Sequence, residues 1–434
     1  MSSPGPIVLV PGFMGSRLVR RSDRQLIWVD PFWVVAHADE FVGALDLSRP
    51  LPTALGPDGV LHDVEIGGLL RVGIYRAFEA FAIDPLGLGV APADFHEFAY
   101  DWRVGVAESA TALDALLAAL PGTQAATLAA HSMGGLVAAA LFAQGGPGAA
   151  RVGKLVAVGC PFAGLLKTID MIEHGSGVLT LLFPHDPIRE LLGGWPGTYE
   201  LMPSRRDPTQ FLDAAGAPST PFLAAADMPP ARYDHALLAA AGAAVSGLDL
   251  AFPVPVRLIE GFGLATAVSA AVAPLGVTVT RDIHGDGTCP GRSLNAASGS
   301  AAPGQPASRV FSLPFGDHVE LMRDPAVLAY LRADLLGAPA APQVMARVRS
   351  RFAVPGTDNL LVVETRDPDG AALGTGTPTA KLAGGRAIPL APCPAAGAAR
   401  WLGPFDHPAE LTTLEVEVPG IPAAQQPHPI HLLL

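Results

Sequence analysis

The segment 127–136 constrains the fold more than any other part of the chain. It reads Thr-Leu-Ala-Ala-His-Ser-Met-Gly-Gly-Leu, a short apolar run, a serine and then an Ala-rich stretch that continues to about Ala143. This order predicts a strand, a sharp turn and a helix. Ala130 and Gly134 flank Ser132 at two positions on either side, and a larger Cβ at either place would clash across a tight turn. The turn would present the Ser132 hydroxyl at a helix N-terminus, where negative charge is favoured.

Composition excludes several classes of protein. The 434 residues are 50% hydrophobic and 16% charged, enough for a large core and for more than one domain. The net charge of −12 argues against nucleic acid and against anionic lipid as electrostatic partners. Three scattered cysteines predict no disulfide framework, and the sequence shows neither a signal peptide nor an apolar run of the roughly 18 residues that span a membrane. We therefore expect a cytoplasmic protein.

Apolar runs of strand length recur along the chain and alternate with helical segments such as 108–120. The runs are Ile7–Val10, Lys154–Val158, Val256–Ile259, Val277–Thr280 and Arg309–Leu313. The alternation predicts an α/β architecture with a largely parallel sheet. The stretch 261–276 is rich in Ala and contains a proline, so we expect helix and loop there.

The strand pattern stops between about residues 165 and 252. This segment is helical in character and broken by prolines, and it contains Trp195 and Tyr199. An inserted cap over the site is the prediction, because caps exclude water and select substrates. The segment could equally be scaffold.

An aromatic patch lies near the start of the chain, at Trp28, Phe32, Trp33 and Phe41. Such a patch could line an apolar pocket, form a lid or touch a lipid surface. Core packing is the alternative. Trp28, Phe32 and Trp33, together with Trp195 and Tyr199, are the pocket or lid candidates.

Three chemically complementary residues each follow a predicted strand, in the order Ser132, Asp286 and His318. The carboxyl ends of strands in an open α/β sheet face one crevice, so the three side chains can converge. A serine hydroxyl needs a base to become a nucleophile, and a carboxylate can orient that base. The sequence therefore predicts a catalytic triad of Ser132, His318 and Asp286.

Other residues compete for the roles of base and acid. His131 adjoins the serine, but its side chain would point away across the turn. His284 could serve as base, and Asp282 or Asp317 as acid. Metal ligation by His284, Asp286 and His318 is conceivable, yet the sequence has no H-E-x-x-H or paired-cysteine spacing. The serine site explains the same residues, so neither a metal nor a cofactor is predicted.

A Gly-rich turn at 11–16 follows the first strand. In hydrolases with a serine on such a turn, backbone N–H groups after an early strand and after the nucleophile bind the developing oxyanion. The amides of Phe13 and Met133 are the candidates. A plain loop at the end of a strand is the alternative.

Seven motifs resemble the lecithin:cholesterol acyltransferase family of α/β-hydrolases, which includes lysosomal phospholipase A2 and the phospholipid:diacylglycerol acyltransferases. They occur in the family's order over residues 6 to 335. They are Pro6–Ser16, Tyr100–Arg103, Ala130–Gly135, Gly159–Gly164, Tyr199–Pro203, Gly285–Thr288 and Asp317–Leu321. The resemblance implies an α/β-hydrolase fold, an acyl-enzyme on Ser132 formed from a lipid ester, and oxyanion donors at Phe13 and Met133.

The chain also departs from that family. Its secreted animal members carry disulfides, one of which pins a lid near the region of Trp28, whereas this chain has no cysteine before Cys160. The position of a lid and the identity of the acyl acceptor therefore cannot be taken from that family. We expect hydrolysis of lipid esters, with acyl transfer to an alcohol as the alternative, and a non-catalytic binding protein on a hydrolase scaffold as a third possibility.

The character of the sequence changes after residue 338. Short strand-like runs at 345–354, 360–365, 400–402, 411–418 and 429–433 are separated by Pro and Gly. This spacing predicts a small β-sandwich. We therefore expect a catalytic domain at 1–338, with its cap at about 165–252, and an all-β accessory domain at 343–434.

Overall fold

A computed structural model describes most of the chain. The described residues are 4–30, 36–48, 54–66, 70–175, 185–299, 302–306, 308–338, 342–351, 358–367, 373, 376–395, 398–408 and 410–433. Phe32 and Trp33, two of the predicted pocket candidates, lie outside these ranges.

Helices in the described ranges lie mainly between residues 38 and 335. They are α1 (Ala38–Leu45), α2 (Arg76–Ile83), α3 (Val106–Ala119), α4 (Gly134–Gln144), α5 (Lys167–His174), α6 (His185–Gly193), α7 (Pro196–Glu200), α8 (His235–Ser246), α9 (Gly291–Asn295) and α10 (Pro325–Leu335). Short 3-10 turns occur at Pro92–Asp94, Ala149–Arg151, Pro208–Gln210, Glu320–Met322 and Ala423–Gln425. None of the described helices is both long and apolar enough to cross a membrane.

Strands occur along the whole chain. Up to residue 314 they are β1 (Ile7–Val10), β2 (Ser16–Arg20), β3 (Leu26–Trp28), β4 (Leu55–Val60), β5 (Asp63–Ile66), β6 (Leu70–Gly73), β7 (Phe95–Glu97), β8 (Ala126–His131), β9 (Val152–Val158), β10 (Phe211–Leu212), β11 (Pro218–Ser219), β12 (Val256–Phe262), β13 (Leu264–Ala273), β14 (Gly276–Gly285) and β15 (Arg309–Pro314). The later ones are β16 (Gln343–Val348), β17 (Asn359–Arg366), β18 (Thr379–Leu382), β19 (Ala387–Ile388), β20 (Ala391–Ala395), β21 (Ala398–Phe405), β22 (Thr412–Glu417) and β23 (Ile430–Leu432).

The central sheet has six strands in the order β15-β12-β9-β8-β1-β7, and every neighbouring pair is parallel. Both faces are buried, which is why its strands are apolar runs rather than alternating ones. Val8 and Val10 belong to the core that packs on α3 and α4, whereas Ile7 and Leu9 belong to the core that contacts α2 and α10. The result is a sheet between two helical layers, the α/β architecture that the sequence predicts.

One prediction about this sheet is wrong. The stretch after Gly261 is not helix and loop: β12 runs to Phe262, and β13 and β14 form a long antiparallel hairpin. The strand before Asp286 therefore belongs to a separate four-stranded sheet, not to the central one. The Val and Thr residues of β14 favour a strand, and pairing with them overrides the helical preference of the alanines in β13.

The segment that is predicted as a cap contains α5 to α8, between β9 and β12. Two short strands interrupt it, and β10 pairs with β13 of the side sheet. The segment is therefore mainly helical and is tied to the hairpin that leads to Asp286. Its role as a cap stays a prediction.

The C-terminal strands form two antiparallel sheets of four strands each, β16-β17-β21-β20 and β19-β18-β22-β23. Side chains of both sheets share one core, with Leu361 and Trp401 from the first and Leu414 and Leu432 from the second. This all-β architecture was predicted. Strands β18 to β20 were not predicted, because prolines and glycines interrupt that region. The domain boundaries stay a prediction.

A buried ionic network joins the C-terminal strands to the central sheet. The Arg366 guanidinium lies 2.7 Å from Glu260 on β12 and 2.8 Å from Glu364, and Arg400 pairs with both glutamates. The hydroxyl oxygen of Ser312 on β15 accepts hydrogen bonds from both arginines. Burial alone would raise the pKa of Glu364, but Arg400 and Arg366 outweigh it and hold that pKa below its ordinary value. Two cations thus balance two anions in the interior.

Removing one member of this network should destabilise the fold strongly. We expect Arg400→Met to lower the free energy of unfolding by about 3–5 kcal/mol, because the two buried carboxylates of Glu260 and Glu364 then share Arg366 as their one remaining cation in this network. Lys381→Met is the matched control: its partner Glu415 is exposed, so the loss should stay within about 1 kcal/mol. Urea unfolding followed by tryptophan fluorescence measures both. Equal losses in the two variants would contradict a structural role for the network.

Candidate active site

Ser132 lies in the turn between β8 and α4, with a φ of 52° that is rare for a residue with a side chain. The turn is possible because of glycines. A Cβ on Gly134 would lie 2.5 Å from the carbonyl oxygen of Val10, and one on Gly12 would lie 2.8 Å from the Ser132 Cβ. The strained turn thus packs against the loop after β1, and Ser132 is only 6% exposed. This is the strand–turn–helix arrangement that the sequence predicts.

His318 and Asp286 form a buried pair. The Nδ1 atom of the His318 ring lies 2.7 Å from Asp286 Oδ2, and the His318 N–H donates to the Asp286 carbonyl at 3.0 Å. The other carboxylate oxygen accepts the backbone N–H groups of Thr288 at 3.0 Å and Cys289 at 2.6 Å. Asp286 is 1% exposed and has the partners that an ionised buried carboxylate requires.

The pair lies beside the carboxyl ends of three strands of the central sheet, β8, β9 and β15. Gly159, directly after β9, has a φ of 58°, and a Cβ there would lie 3.0 Å from the His318 ring. His318 follows β15, and Ser132 follows β8. The loops of the central sheet therefore bring the candidate nucleophile and the candidate base to one crevice. The described residues give Ser132 Oγ no hydrogen bond, as is common before substrate binds.

Geometry separates Asp286 from its competitors. Asp282 Oδ2 lies 2.8 Å from the ring of His284, so those two residues pair with each other. Asp317 is exposed and accepts the N–H of Val319 at 3.1 Å. Among the described carboxylates, only that of Asp286 contacts His318 within salt-bridge distance.

The charge state of His318 depends on its partner. Burial lowers the pKa of His318, but the charge and hydrogen bond of Asp286 outweigh burial and raise the pKa above its ordinary value. A histidine that a carboxylate holds in this way can, in its neutral form, accept a proton from a hydroxyl and later return it. The pair can thus perform general base and then general acid catalysis.

Two backbone N–H groups are free to bind a negatively charged oxygen. The Gly12 N–H donates to the Tyr75 hydroxyl at 2.8 Å, whereas the next amide, that of Phe13, has no acceptor among the described residues. The Met133 amide, which precedes α4, has none either. These are the two donors that the sequence predicts. Their use by an oxyanion stays a prediction.

The aromatic candidates that the structure describes are core residues. Trp28 and Trp195 each stand edge-on to Trp102, at 5.2 Å between ring centroids, and Trp195 also contacts the Phe13 ring at 6.2 Å. Tyr199 is fully buried and bonds to Gly193 at 2.8 Å. None of these three side chains lies on an exposed lid, in agreement with the alternative of core packing. They support the wall behind Phe13, and their contact with a substrate stays a prediction.

The Tyr-Asp-Trp-Arg motif supports the loops around the site. The Tyr100 hydroxyl donates to the Pro11 carbonyl at 2.9 Å. Arg103 pairs with Asp101 at 2.6 Å and donates to the carbonyl of Leu45 at the end of α1, at 3.1 Å. The motif therefore acts through internal hydrogen bonds and an internal ion pair.

Tyr75 and His131 are site residues for which sequence reasoning found no role. The Tyr75 hydroxyl lies 2.8 Å from His131 Nδ1, and His131 Nε2 lies 3.0 Å from the carbonyl oxygen of His318. The ring of His131 thus points away from the serine hydroxyl, as expected for this turn. Tyr75 is brought here by the fold from a distant part of the chain, so no local pattern could have identified it.

One group of described side chains could hold a metal ion. His62, Glu79 and Glu97 each offer a ligand atom, and these atoms lie within 4.8 Å of one another. However, His62 Nε2 lies 2.8 Å from Glu97 and Nδ1 lies 3.4 Å from Glu79. The cluster is therefore explained by ionic contacts of one histidine with two carboxylates. The hydrogen bond to Glu97 raises the pKa of His62 above its ordinary value. No bound metal is needed to account for these contacts.

Sequence and structure comparisons place the chain among known proteins. The sequence model of the lecithin:cholesterol acyltransferase family matches residues 85–228, which confirms the resemblance. The matched stretch contains Ser132 and ends before Asp286 and His318. The match supports an enzyme that hydrolyses esters or transfers their acyl groups. No curated protein sequence matches the chain.

Two solved structures that resemble this chain are the following. A chain in the crystal structure of the Tle4–Tli4 complex is 16% identical, with a TM-score of 0.55 over 77% of this chain and 99% of that one. The mature lipase BlEst2 of Bacillus licheniformis is 10% identical, with a TM-score of 0.33 over 77% of this chain and 93% of that one. Together with the parallel sheet, the first of these likenesses identifies the α/β-hydrolase fold.

The pairing of His318 with Asp286 predicts a measurable pKa change. In Asp286→Asn the stabilising charge is lost while burial remains, so the pKa of His318 should fall from above to below its ordinary value of about 6.5. NMR titration of protein labelled at the histidine ring carbons, with the His318 signal assigned by His318→Gln, measures this shift. Asp317→Asn is the control and should shift the pKa much less. A larger shift in the control would make Asp317 the acid.

Proposed function

We propose that the protein is a serine hydrolase that cleaves carboxylic esters of lipids through an acyl-enzyme on Ser132. The observation that carries this proposal is the buried hydrogen bond of 2.7 Å between His318 and Asp286, at the strand ends that also present Ser132 on its strained turn. The family match adds support for ester chemistry.

The first half of the reaction forms the acyl-enzyme. His318 Nε2 takes the proton of the Ser132 hydroxyl while Oγ attacks the ester carbonyl carbon. Asp286 fixes the ring with its Nδ1–H towards the carboxylate and stabilises the imidazolium. The N–H groups of Phe13 and Met133 bind the oxyanion, and the tetrahedral intermediate collapses as His318 gives its proton to the departing alcohol.

The second half releases the acyl group. A water enters after the alcohol leaves, gives a proton to His318 and attacks the acyl carbon. The second tetrahedral intermediate returns the proton to Ser132 Oγ and releases a fatty acid. Metal ions and organic cofactors have no part in these steps.

Acyl transfer is a second candidate function, since the family match is to acyltransferases and the site is shielded from solvent. Ser132 and His318 are each only 6% exposed. An alcohol would replace water in the second half with the same residues in the same roles. Product analysis in the presence of a long-chain alcohol separates the two reactions: an ester product indicates transfer, and a fatty acid alone indicates hydrolysis.

The proposal predicts a serine-dependent esterase activity. Ser132→Ala should lower kcat for p-nitrophenyl esters by about 10,000-fold or more, because only the nucleophile is removed. Ser109→Ala is the control: Ser109 is equally buried but lies in α3 and bonds to Gly105. Esters from acetate to palmitate are compared, and a lipid substrate predicts that kcat/KM peaks at the long chains.

The alternatives give different results in the same assay. A peak at short chains would contradict the lipid substrate but not the serine mechanism. Activity that survives in Ser132→Ala would contradict the mechanism. No activity at any chain length, together with no labelling by a fluorophosphonate, would favour a binding protein on a hydrolase scaffold.

A further inference from the structure

Four residues from distant parts of the chain form one continuous line of hydrogen bonds beside the candidate site. The Gly12 N–H donates to the Tyr75 hydroxyl at 2.8 Å, that hydroxyl lies 2.8 Å from His131 Nδ1, and His131 Nε2 lies 3.0 Å from the His318 carbonyl oxygen. The line therefore connects the loop after β1, the turn that carries Ser132 and the loop that carries His318.

The direction of every bond in this line is determined by its ends. A carbonyl oxygen can only accept, so His131 carries its proton on Nε2. A neutral imidazole then has a lone pair on Nδ1, which accepts a hydrogen bond from the Tyr75 hydroxyl. The phenolic oxygen in turn accepts from Gly12. All three bonds point from the oxyanion loop towards His318.

The surroundings keep both middle members uncharged. Burial, helped by the neighbouring His318, lowers the pKa of His131 to about 3. Burial raises the pKa of the Tyr75 hydroxyl well above its ordinary value. Tyr75 is 1% exposed and His131 is 4% exposed, so water cannot replace a lost partner at low cost. The line is therefore one defined arrangement across neutral pH.

The two ends of the line, Gly12 and the His318 carbonyl, each adjoin a group that the proposed reaction uses. Gly12 directly precedes Phe13, whose free N–H is a candidate oxyanion donor, and the bond to Tyr75 holds the Gly12 peptide. At the other end, the His318 carbonyl belongs to the residue whose ring would act as base. Fixing both ends relative to the Ser132 turn sets the distances among donor, nucleophile and base.

We propose that Tyr75 and His131 are positioning residues that couple the oxyanion loop to the His318 loop through this hydrogen-bonded line. The inference rests on the proposed serine mechanism. Neither side chain touches the substrate. Their effect is to keep the donors and the base aligned in the transition state, where a displacement of about 1 Å can cost up to 100-fold in rate.

Kinetics of single and double variants test the coupling. Tyr75→Phe removes one hydroxyl and leaves the Gly12 N–H and His131 Nδ1 without partners. We expect kcat for a p-nitrophenyl ester to fall by about 10- to 100-fold with little change in KM, because the lost alignment acts in the transition state. His131→Ala should lose at least as much. His131→Gln should retain more activity, because its amide can still donate to the His318 carbonyl.

The double variant Tyr75→Phe/His131→Ala distinguishes a line from two separate supports. If the bonds act as one unit, the double variant loses little more than His131→Ala alone. Losses that multiply would contradict the coupling. Tyr330→Phe is the control, since Tyr330 lies in α10 and its ring stacks on that of Phe311 at 4.6 Å between centroids, outside the site and the predicted cap. It should keep wild-type kcat.

Two further results separate this inference from the proposed function. If Ser132→Ala abolishes activity while Tyr75→Phe keeps it, the line has no positioning role but the serine mechanism stands. The tautomer of His131 gives a test that needs no activity: two-bond proton–nitrogen NMR spectra should show the proton on Nε2 and a change in the Nδ1 signal in Tyr75→Phe. A proton on Nδ1 would overturn the inference.

Discussion

The structure depends on the close approach of three loops at the carboxyl ends of the central sheet. Ser132 has a φ of 52°, and Gly12, Gly134 and Gly159 stand where a Cβ would meet Ser132, Val10 or His318. A strained turn persists only where its surroundings over-determine it. Here the parallel strands fix the loop origins and the glycines remove the steric barrier between them. The position of the Ser132 hydroxyl on the turn and its shielding from solvent both follow from this contact.

The C-terminal strands take part in the same construction. Arg366 and Arg400 neutralise Glu260 on β12, and Arg400 also lies 4.1 Å over the ring of Phe262 at the end of that strand. The Phe262 carbonyl accepts from Phe315, three residues before His318. The β-sandwich therefore packs against the end of β12, next to the loop that carries His318. An appended module without a structural role would not need a buried contact of this kind. This contact gives the sandwich a structural role in the hydrolase unit.

The local structure around the site could be predicted from the sequence, whereas the contacts between distant parts of the chain could not. The strand, turn and helix around Ser132 have strong local signals. Ser132 and His318 follow strands of the central sheet as predicted, whereas the strand before Asp286 belongs to the side sheet. The β13–β14 hairpin was missed because alanines favour helix until a β-rich partner pairs with them. Trp195 and Tyr199 are buried, and composition alone does not say whether a buried aromatic side chain lines a pocket or fills a core, so their contact with a substrate stays a prediction. Tyr75 reaches His131 only through the tertiary fold.

The central claim is that an acyl group resides on Ser132 during turnover. Mixing the protein with an excess of a p-nitrophenyl ester in a stopped-flow instrument, with an acid quench for mass spectrometry of the peptides, tests it directly. We expect a burst of p-nitrophenol stoichiometric with the protein and the mass of one acyl group on the peptide that contains Ser132. Steady turnover in which the acyl group is carried by another residue, or by none, would contradict it.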